Sequence, residues 1–269
     1  MAGDAVKRVN RYAQIIEELF FSHYKEGDTE IDFERSEIQL IADKLNIKLP
    51  LNLGDVIYSF RYRALLPESI TAKAPQGTVW IIRPTGKAKY RIIAIKETPI
   101  VPNTLLAETK VPDSTPGIVT MYSMNDEQAL LAKVRYNRLI DIFTGITSYS
   151  LQNHLRTTVV GMGQVETDEI YIGIDRRGVH YVFPVQAKGG TDKLNIVQIE
   201  QDIALCNEKF KGLVCIAIAA QFMNDSLIAL FGFQETPDGV GLTIEKHYRL
   251  TPPKDVTQAD LYAYQQQPL

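Results

Sequence analysis

Two strand-like runs joined by a very short link constrain the fold of this chain more than any other feature. Residues 164–175 and 179–188 are rich in β-branched and aromatic side chains, and an Arg-Arg-Gly link separates them. This link suits a three-residue hairpin loop whose glycine takes the left-handed conformation. The sequence therefore predicts an antiparallel hairpin in which Asp175 faces Val179.

Counting back from that pair places Asp168 opposite Gln186, and Glu166 opposite Lys188. Directly opposed residues share a face of a sheet, so these four polar side chains are predicted on one side. The rest of that side is apolar, and a buried charge costs several kcal/mol unless it is paired or bound to a metal. The four residues indicate a functional site, and the alternative is a Glu166–Lys188 salt bridge at a sheet edge.

The sequence around this hairpin predicts a mixed sheet flanked by helices, an α/β (α+β) arrangement. The predicted helices are residues 125–143, 150–157 and 192–210, and the further strands are residues 213–220, 226–233 and 240–249. In the third of these helices, Gln198, Gln201 and Asp202 lie off the apolar stripe and are expected at the surface. This domain is assigned to residues 126–252, and residues 253–269 are expected to form a frayed C-terminal tail.

The N-terminal third of the chain has a different order of elements. Three amphipathic helices come first, followed by strand-like residues 78–82 and 90–95 on either side of a basic, turn-forming tip. Three helices and then a basic hairpin resemble a winged helix over roughly residues 6–97, so residues 1–97 are assigned to a winged-helix-like domain. Prolines recur without helical periodicity in residues 98–125, which are predicted to be a connector.

Charge is distributed unevenly along the chain, although the net charge is only −3. From Lys44 to Lys96 there are ten Lys or Arg against two acids, whereas the first 43 residues hold five basic and ten acidic residues. Such asymmetry is typical of a nucleic-acid-binding face, and the alternatives are a chance cluster of solvated charge or a small helical dimerisation module. The predicted DNA contacts on the third helix and the hairpin are Tyr58, Ser59, Arg61, Tyr62, Arg63, Lys87, Lys89 and Arg91.

Other features exclude several classes of protein. No apolar run approaches the roughly 20 residues that span a bilayer, and the first residues lack the pattern of a secretion signal, so a cytoplasmic protein is predicted. Cys206 and Cys215 match no zinc spacing and lie in apolar stretches, which favours buried free thiols. The four histidines are scattered, so neither a zinc cage nor a haem site is predicted.

One strand that carries an acid, a second strand that ends in Gln-Ala-Lys, and a helix after it resemble the PD-(D/E)xK restriction-endonuclease-like superfamily. The resemblance covers roughly residues 126–220, in the variant whose second acid is replaced by glutamine. It implies Asp168 as the principal metal ligand, Gln186 as the second site residue and Lys188 as the catalytic lysine. The backbone carbonyl of Ala187 is a further ligand in this interpretation, and the implied metal is Mg²⁺.

Gln186 departs from the usual pattern of that superfamily, because an amide oxygen is a poorer ligand for a hard cation than a carboxylate. Either Gln186 orients water or a metal-bound group, or another acid supplies the missing charge. Glu166 is a candidate for that acid, and Glu127 is a weaker one that equally suits the dipole of the helix it begins. The substitution is also compatible with weakened or lost activity.

The resemblance implies a type II-like restriction endonuclease that hydrolyses phosphodiester bonds of double-stranded DNA. It further implies a homodimer, since both strands must be cut, and a cognate DNA methyltransferase in the host. Gln152 and Arg156, just before the acidic strand, are expected to contact the phosphate backbone. The alternatives are a structure-specific repair nuclease such as a junction resolvase, and a non-catalytic DNA-binding regulator with a decayed nuclease fold.

Overall fold

The computed structural model describes residues 11–50, 52–62, 64–96, 100–123, 127–189, 194–224, 226–236 and 239–266, with Tyr62 described by its backbone alone. The chain divides into two compact units. Unit 1 comprises residues 1–99 and 160–163, and unit 2 comprises residues 100–159 and 164–269. The division lies beside the predicted end of the first domain at residue 97, whereas the predicted connector from residue 100 onwards and the predicted tail belong to unit 2.

Unit 1 packs three main helices and a short fourth one around a small sheet. Its described elements are α1 (Arg11–His23), β1 (Glu30–Glu34), α2 (Arg35–Lys44), α3 (Gly54–Tyr62), α4 (Glu68–Thr71), β2 (Thr78–Gly86) and β3 (Lys89–Lys96). The strands are antiparallel in the order β1-β3-β2. The predicted helices and hairpin are confirmed, but β1 was not predicted because only Ile31 and Phe33 alternate inward along its five residues.

Unit 2 is built on a long mixed sheet. Its described elements are β4 (Glu108–Pro112), α5 (Gly117–Tyr122), α6 (Glu127–Tyr136), α7 (Leu139–Thr144), β5 (Thr147–Val159), β6 (Gly163–Ile174), β7 (His180–Lys188), α8 (Ile196–Lys209), β8 (Val214–Cys215), β9 (Ala217–Phe222), β10 (Leu227–Thr236), β11 (Gly239–Thr251), a 3₁₀ turn (Pro253–Asp255) and α9 (Gln258–Gln265). The strand order is β4-β11-β10-β9-β7-β6-β5, and the short β8 pairs with β7. β7 runs parallel to β9 and β11 runs parallel to β4, whereas β6–β7, β9–β10 and β10–β11 are antiparallel.

Helices cover both faces of this sheet, as predicted. Leu130 of α6 and Phe143 of α7 pack with Phe183 of β7 in one apolar cluster. Ile199 of α8 packs with Phe231 of β10 in a second cluster on the other face. The mixed α/β arrangement with flanking helices is therefore confirmed. Among the described residues, no helix combines the length and the apolar character that crossing a bilayer requires.

The predicted helix at residues 150–157 is wrong. This segment lies in β5, at the end of the strand order, so Gln152 and Arg156 project from an edge strand. The segment has no apolar stripe at helical spacing, so its pattern does not disfavour a strand. β6 also needs a neighbouring strand, because its backbone polar groups must be paired. An edge strand thus forms because the rest of the sheet provides its partner, and the local sequence pattern does not predict that partner.

The predicted helix at residues 125–143 is two helices, α6 and α7. The buried Asn137 side chain ends α6 by donating to the Lys133 carbonyl oxygen at 2.9 Å while it accepts the Ser114 N–H at 2.7 Å. Arg138 then takes a left-handed conformation with φ of 50°. An asparagine that bonds the backbone competes with helical hydrogen bonds, which explains the break.

The described parts of the predicted connector and tail, residues 100–123 and 253–266, contain regular elements that belong to unit 2. In the connector, β4 pairs in parallel with β11, and α5 follows it. In the tail, α9 begins at a capping box between Thr257 and Asp260. The Lys110 N–H of β4 donates to the Tyr264 hydroxyl at 2.9 Å, so α9 lies against the outer edge of β4.

Candidate functional site

The β6–β7 hairpin has the register that the sequence predicts. Glu169 lies opposite Val185, which is the same count that opposes Asp168 to Gln186, but the recorded pairing ends at Glu169. Beyond that pair, the acceptor of the Ala187 N–H is not a backbone carbonyl of β6 but the Asp168 side chain, whose Oδ2 lies 2.8 Å away. Asp168 is therefore tied to β7 by its own side chain.

Gln186 does not share a face with the other predicted site residues, so this part of the prediction is wrong. Its side chain is 1% exposed, and its Nε2 donates to Asp202 Oδ2 at 2.9 Å and to the Glu166 carbonyl oxygen at 3.3 Å. Thr167 completes this group, because its hydroxyl lies 2.5 Å from Asp202 Oδ1. Glu169 bonds Arg135 of α6, whereas Thr167, two residues before it, bonds Asp202 of α8. The alternation of β6 is therefore broken between these residues, and Thr167 meets Gln186.

Lys188 meets an acid from a different element. Its Nζ donates to Glu127 Oε1 at 2.8 Å, and the lysine side chain is only 12% exposed. Burial raises the pKa of the Asp168 carboxyl above its ordinary value, and the Ala187 N–H and the Lys188 charge act against that rise. Asp168, Lys188 and Glu127 are close enough to interact electrostatically, and we call them the acid–lysine cluster.

Glu166 points towards β5 and is neutralised there. Arg156 Nη2 lies 2.6 Å from Glu166 Oε2, and His154 Nδ1 lies 3.9 Å from Glu166 Oε1. His154 has a left-handed φ of 48° and also bonds Gln128 of α6 at 2.9 Å. Gln152 is exposed on the same strand. The contact of Gln152 and Arg156 with DNA stays a prediction, and the Glu166 charge is already compensated by Arg156.

The acid–lysine cluster suits Mg²⁺ in its donor chemistry. This ion keeps several waters and is bound in proteins by one or two carboxylates together with substrate phosphates. Asp168 and Glu127 supply two such carboxylates, whereas the Gln186 amide is turned away and Glu166 is held by Arg156. Within the described ranges, no group of three His, Cys, Asp or Glu side chains is placed to hold a metal by protein ligands alone.

Four of the ten basic residues from Lys44 to Lys96 pair with acids of the preceding acidic segment. Arg91 forms two bonds to Asp32 at 2.7 Å and a third to Glu30 at 2.7 Å. The predicted contact Lys89 lies 3.6 Å from Glu34. In the part of the chain that the structure describes, the pairs with acids of the first 43 residues include those of Lys44, Lys73, Lys89 and Arg91. The uneven charge along the chain thus becomes a set of ion pairs in space.

Arg61 is not on an exposed recognition face, and that prediction is wrong. It follows the buried Ile57 by one helical turn, so it lies on the inner side of α3 and is 7% exposed. The side chain of Tyr62 and the whole of Arg63 lie outside the described residues. The remaining predicted contacts are half-buried or exposed, and these are Tyr58, Ser59 and Lys87.

Two buried polar groups beside the site were not predicted. Gln201 and Asp202 of α8 are buried, so the prediction that they lie at the surface is wrong. Glu169, fully buried on β6, accepts two hydrogen bonds from Arg135 of α6, each at 2.9 Å, and one from the Ser150 hydroxyl. The only sequence signal was a polar residue in an otherwise apolar run, which does not identify its partner.

Comparison with known proteins gives no relative: no family model, no curated protein and no solved structure matches this chain. The function therefore has to be inferred from the chemistry of the site. Two carboxylates attract a hard cation, and a largely buried lysine beside them attracts an anion. Such a combination suits a substrate that carries negative charge and reacts with the help of a metal.

Proposed function

We propose that this protein is a magnesium-dependent endonuclease that hydrolyses phosphodiester bonds of double-stranded DNA. The observation that carries the proposal is the acid–lysine cluster, in which Asp168 is anchored to the Ala187 N–H beside the Lys188–Glu127 ion pair. A phosphate diester brings one negative charge to this place and gains more as it reacts.

The arrangement of elements also supports the proposal. The strand, hairpin, strand and helix on which the nuclease resemblance rests are present as β6, β7 and α8, and β9 lies parallel to β7. Unit 1 has the three helices and the β2–β3 hairpin on which the winged-helix resemblance rests. In this proposal unit 1 reads the duplex, using Tyr58, Ser59 and Lys87 among its contacts, and a homodimer cuts both strands.

The residues of the cluster would divide the work. Asp168 and Glu127 would hold the magnesium ion, with the Ala187 carbonyl as a further oxygen ligand. A bound magnesium ion polarises the phosphate and lowers the pKa of its water. The Ala187 N–H keeps the Asp168 carboxylate oriented, and the Lys188 ammonium stabilises negative charge as it grows on the phosphate oxygens.

The test is digestion of supercoiled plasmid and genomic DNA with and without magnesium chloride. We expect discrete bands from the wild-type chain, and a rate lower by about 10² to 10³ in Lys188→Ala, because one stabilising charge is lost. Asp168→Asn should cut no DNA above background. Lys254→Ala and Asp255→Asn, on the exposed 3₁₀ turn, are matched controls that should cut like the wild type.

Two outcomes would assign a different function. Cutting of branched junctions without cutting of linear duplex would indicate a repair nuclease. Specific binding of DNA without cutting, across a panel of divalent ions, would indicate a non-catalytic regulator. The inward direction of Gln186 favours this second candidate, because it leaves the cluster with two acids and no third oxygen ligand from a side chain.

A further inference from the structure

Directly behind the acid–lysine cluster lies a buried carboxyl that the proposed reaction does not use. Asp202 of α8 is 1% exposed, and its two oxygens have different partners. Oδ1 bonds the Thr167 hydroxyl at 2.5 Å, and Oδ2 accepts from Gln186 Nε2 at 2.9 Å. One side chain of a helix therefore connects two neighbouring strands that both carry site residues.

Each partner of Asp202 lies within two residues of a member of the cluster along the chain. Thr167 immediately precedes Asp168, and Gln186 is separated from Lys188 by one residue. The residue between them, Ala187, donates the N–H that anchors Asp168. The regular β6–β7 pairing ends at Glu169 and Val185. Beyond that pair, the hydrogen bonds of Asp202 to Thr167 and Gln186 connect the two strand ends.

We propose that Asp202 is a positioning residue that holds Asp168 and Lys188 in their relative places, and that its carboxyl is the reason why residue 186 is an amide. The role in positioning rests on the proposed nuclease function. An acid at position 186 would face the Asp202 carboxyl where a 2.9 Å hydrogen bond now lies. Two buried carboxyls at that separation repel each other unless one keeps a proton, whereas an amide donates.

The environment of Asp202 is consistent with this assignment. Burial raises the pKa of Asp202 to about 8, and the bonds from Thr167 and Gln186 only partly oppose that rise. A second acid in the same place would be buried as well, so the two carboxyls could not both ionise, and the site would lose the N–H donor that the amide supplies. Residue 186 in this chain is therefore a partner of Asp202 that happens to occupy the place where the nuclease resemblance expects a metal ligand.

The test is an exchange of acid and amide between the two positions in the full-length chain. Asp202→Asn and Gln186→Glu alone should each lower kcat for plasmid cleavage by about 10- to 100-fold, the usual range for residues that orient metal ligands. KM for DNA should stay within about twofold, since neither side chain meets the substrate. The double variant should recover most of the lost kcat, because one acid and one amide again face each other.

A second variant and a control show whether a loss of kcat comes from the Asp202 contact or from misfolding. Thr167→Val replaces the hydroxyl by a methyl group of similar size, and it should lower kcat in the same direction even if Asp202→Asn fails to fold. Glu208→Gln removes a carboxylate from the same helix, where Glu208 pairs with Lys209, and it should leave kcat unchanged. Thermal unfolding of every variant reports whether the chain is folded.

The outcomes separate the two proposals. If the wild type cuts DNA but the double variant is no better than the single variants, the positioning role is wrong and the proposed function survives. If the double variant recovers thermal stability but not kcat, the contact is only structural and the positioning role is again wrong. If the wild type cuts no DNA under any condition, the proposed function fails, and the positioning role fails with it.

Discussion

The two units treat their charged residues in opposite ways. In unit 1, several basic residues pair with acids at the surface, as Arg91 does with Asp32 and Glu30. In unit 2, acids are taken into the interior, where Glu169 is fully buried against Arg135 and Asp202 is bonded to neutral partners. Surface pairs contribute little to stability and can be exchanged, whereas a buried carboxyl is tolerated only where its partners are fixed.

This difference shows which sequence patterns predict the three-dimensional arrangement and which do not. A count of charges along the chain assumes that neighbours in sequence stay neighbours on the surface. In unit 1 the basic segment instead folds onto the acidic one. A hairpin with a short link transmits its register directly, and the β6–β7 pairs follow the predicted count as far as Glu169 and Val185.

The largest expected effect is on the buried pair of unit 2. Arg135→Ala leaves the Glu169 carboxylate buried without its cation, which should lower the free energy of unfolding by about 3 kcal/mol or more. Urea unfolding followed by circular dichroism measures this change. Arg138→Ala, which breaks an exposed pair with Asp141, is the matched control and should change stability far less. Equal losses in the two variants would contradict the contrast between buried and surface pairs.

The next effect is the pH dependence that Asp202 gives to stability. Its pKa is about 8 in the folded chain against an ordinary 3.8, so the folded state keeps a proton that the unfolded state has lost in this window. Unfolding then releases a proton, and the free energy of unfolding falls as pH rises from about 4 to about 8, by at most about 1.4 kcal/mol per pH unit. Below pH 4 both states are protonated and this contribution is fully present.

Urea unfolding of the wild type and Asp202→Asn at several pH values measures the Asp202 contribution. The wild type should lose stability with pH faster than the variant. Burial raises the pKa of Asp168 in the same direction, but that effect is common to both proteins and cancels in the difference. Parallel curves for the two proteins would show that Asp202 is ionised in the folded chain.

The smallest effect concerns DNA binding by unit 1. Lys87 is exposed at the turn between β2 and β3, whereas Arg91 is held by two acids. Lys87→Ala should weaken binding to duplex DNA and lower the slope of log affinity against log salt by about one. Arg91→Ala should change the affinity less. Fluorescence anisotropy at several salt concentrations compares the two, and a larger loss in Arg91→Ala would show that its ion pairs open on DNA.

The sequence predicts much of the frame and part of the site. The helices of unit 1 and the strands β6 and β7 follow from apolar spacing, and Asp168 and Lys188 follow from the hairpin count. The predicted neighbour of Gln186 is wrong because one irregular step in β6, where its pairing with β7 ends, puts Thr167 in the place expected for Asp168. The sequence makes Glu127 only a weaker candidate for the second acid, because the three-dimensional fold alone brings the start of α6 to the end of β7.

The errors elsewhere have a common cause. β5 is held by its neighbour and not by its own pattern, and most of its residues are exposed. The connector and tail lack strong periodicity, yet both are fixed by contacts distant in sequence, such as that between Lys110 and Asp260 at 3.0 Å. Local propensity describes elements that would form alone, whereas these segments are ordered only by what they touch.

The contact between α9 and β4 covers part of one edge of the sheet of unit 2. A sheet has two borders, and here one of them is closed by the tyrosine hydroxyl that occupies the Lys110 N–H. A chain shortened at residue 256 would bare that border and offer its free amide groups to the strands of other molecules, which is a common beginning of aggregation. We therefore expect α9 to limit self-association at this border, and a chain that lacks α9 should give less soluble protein on expression.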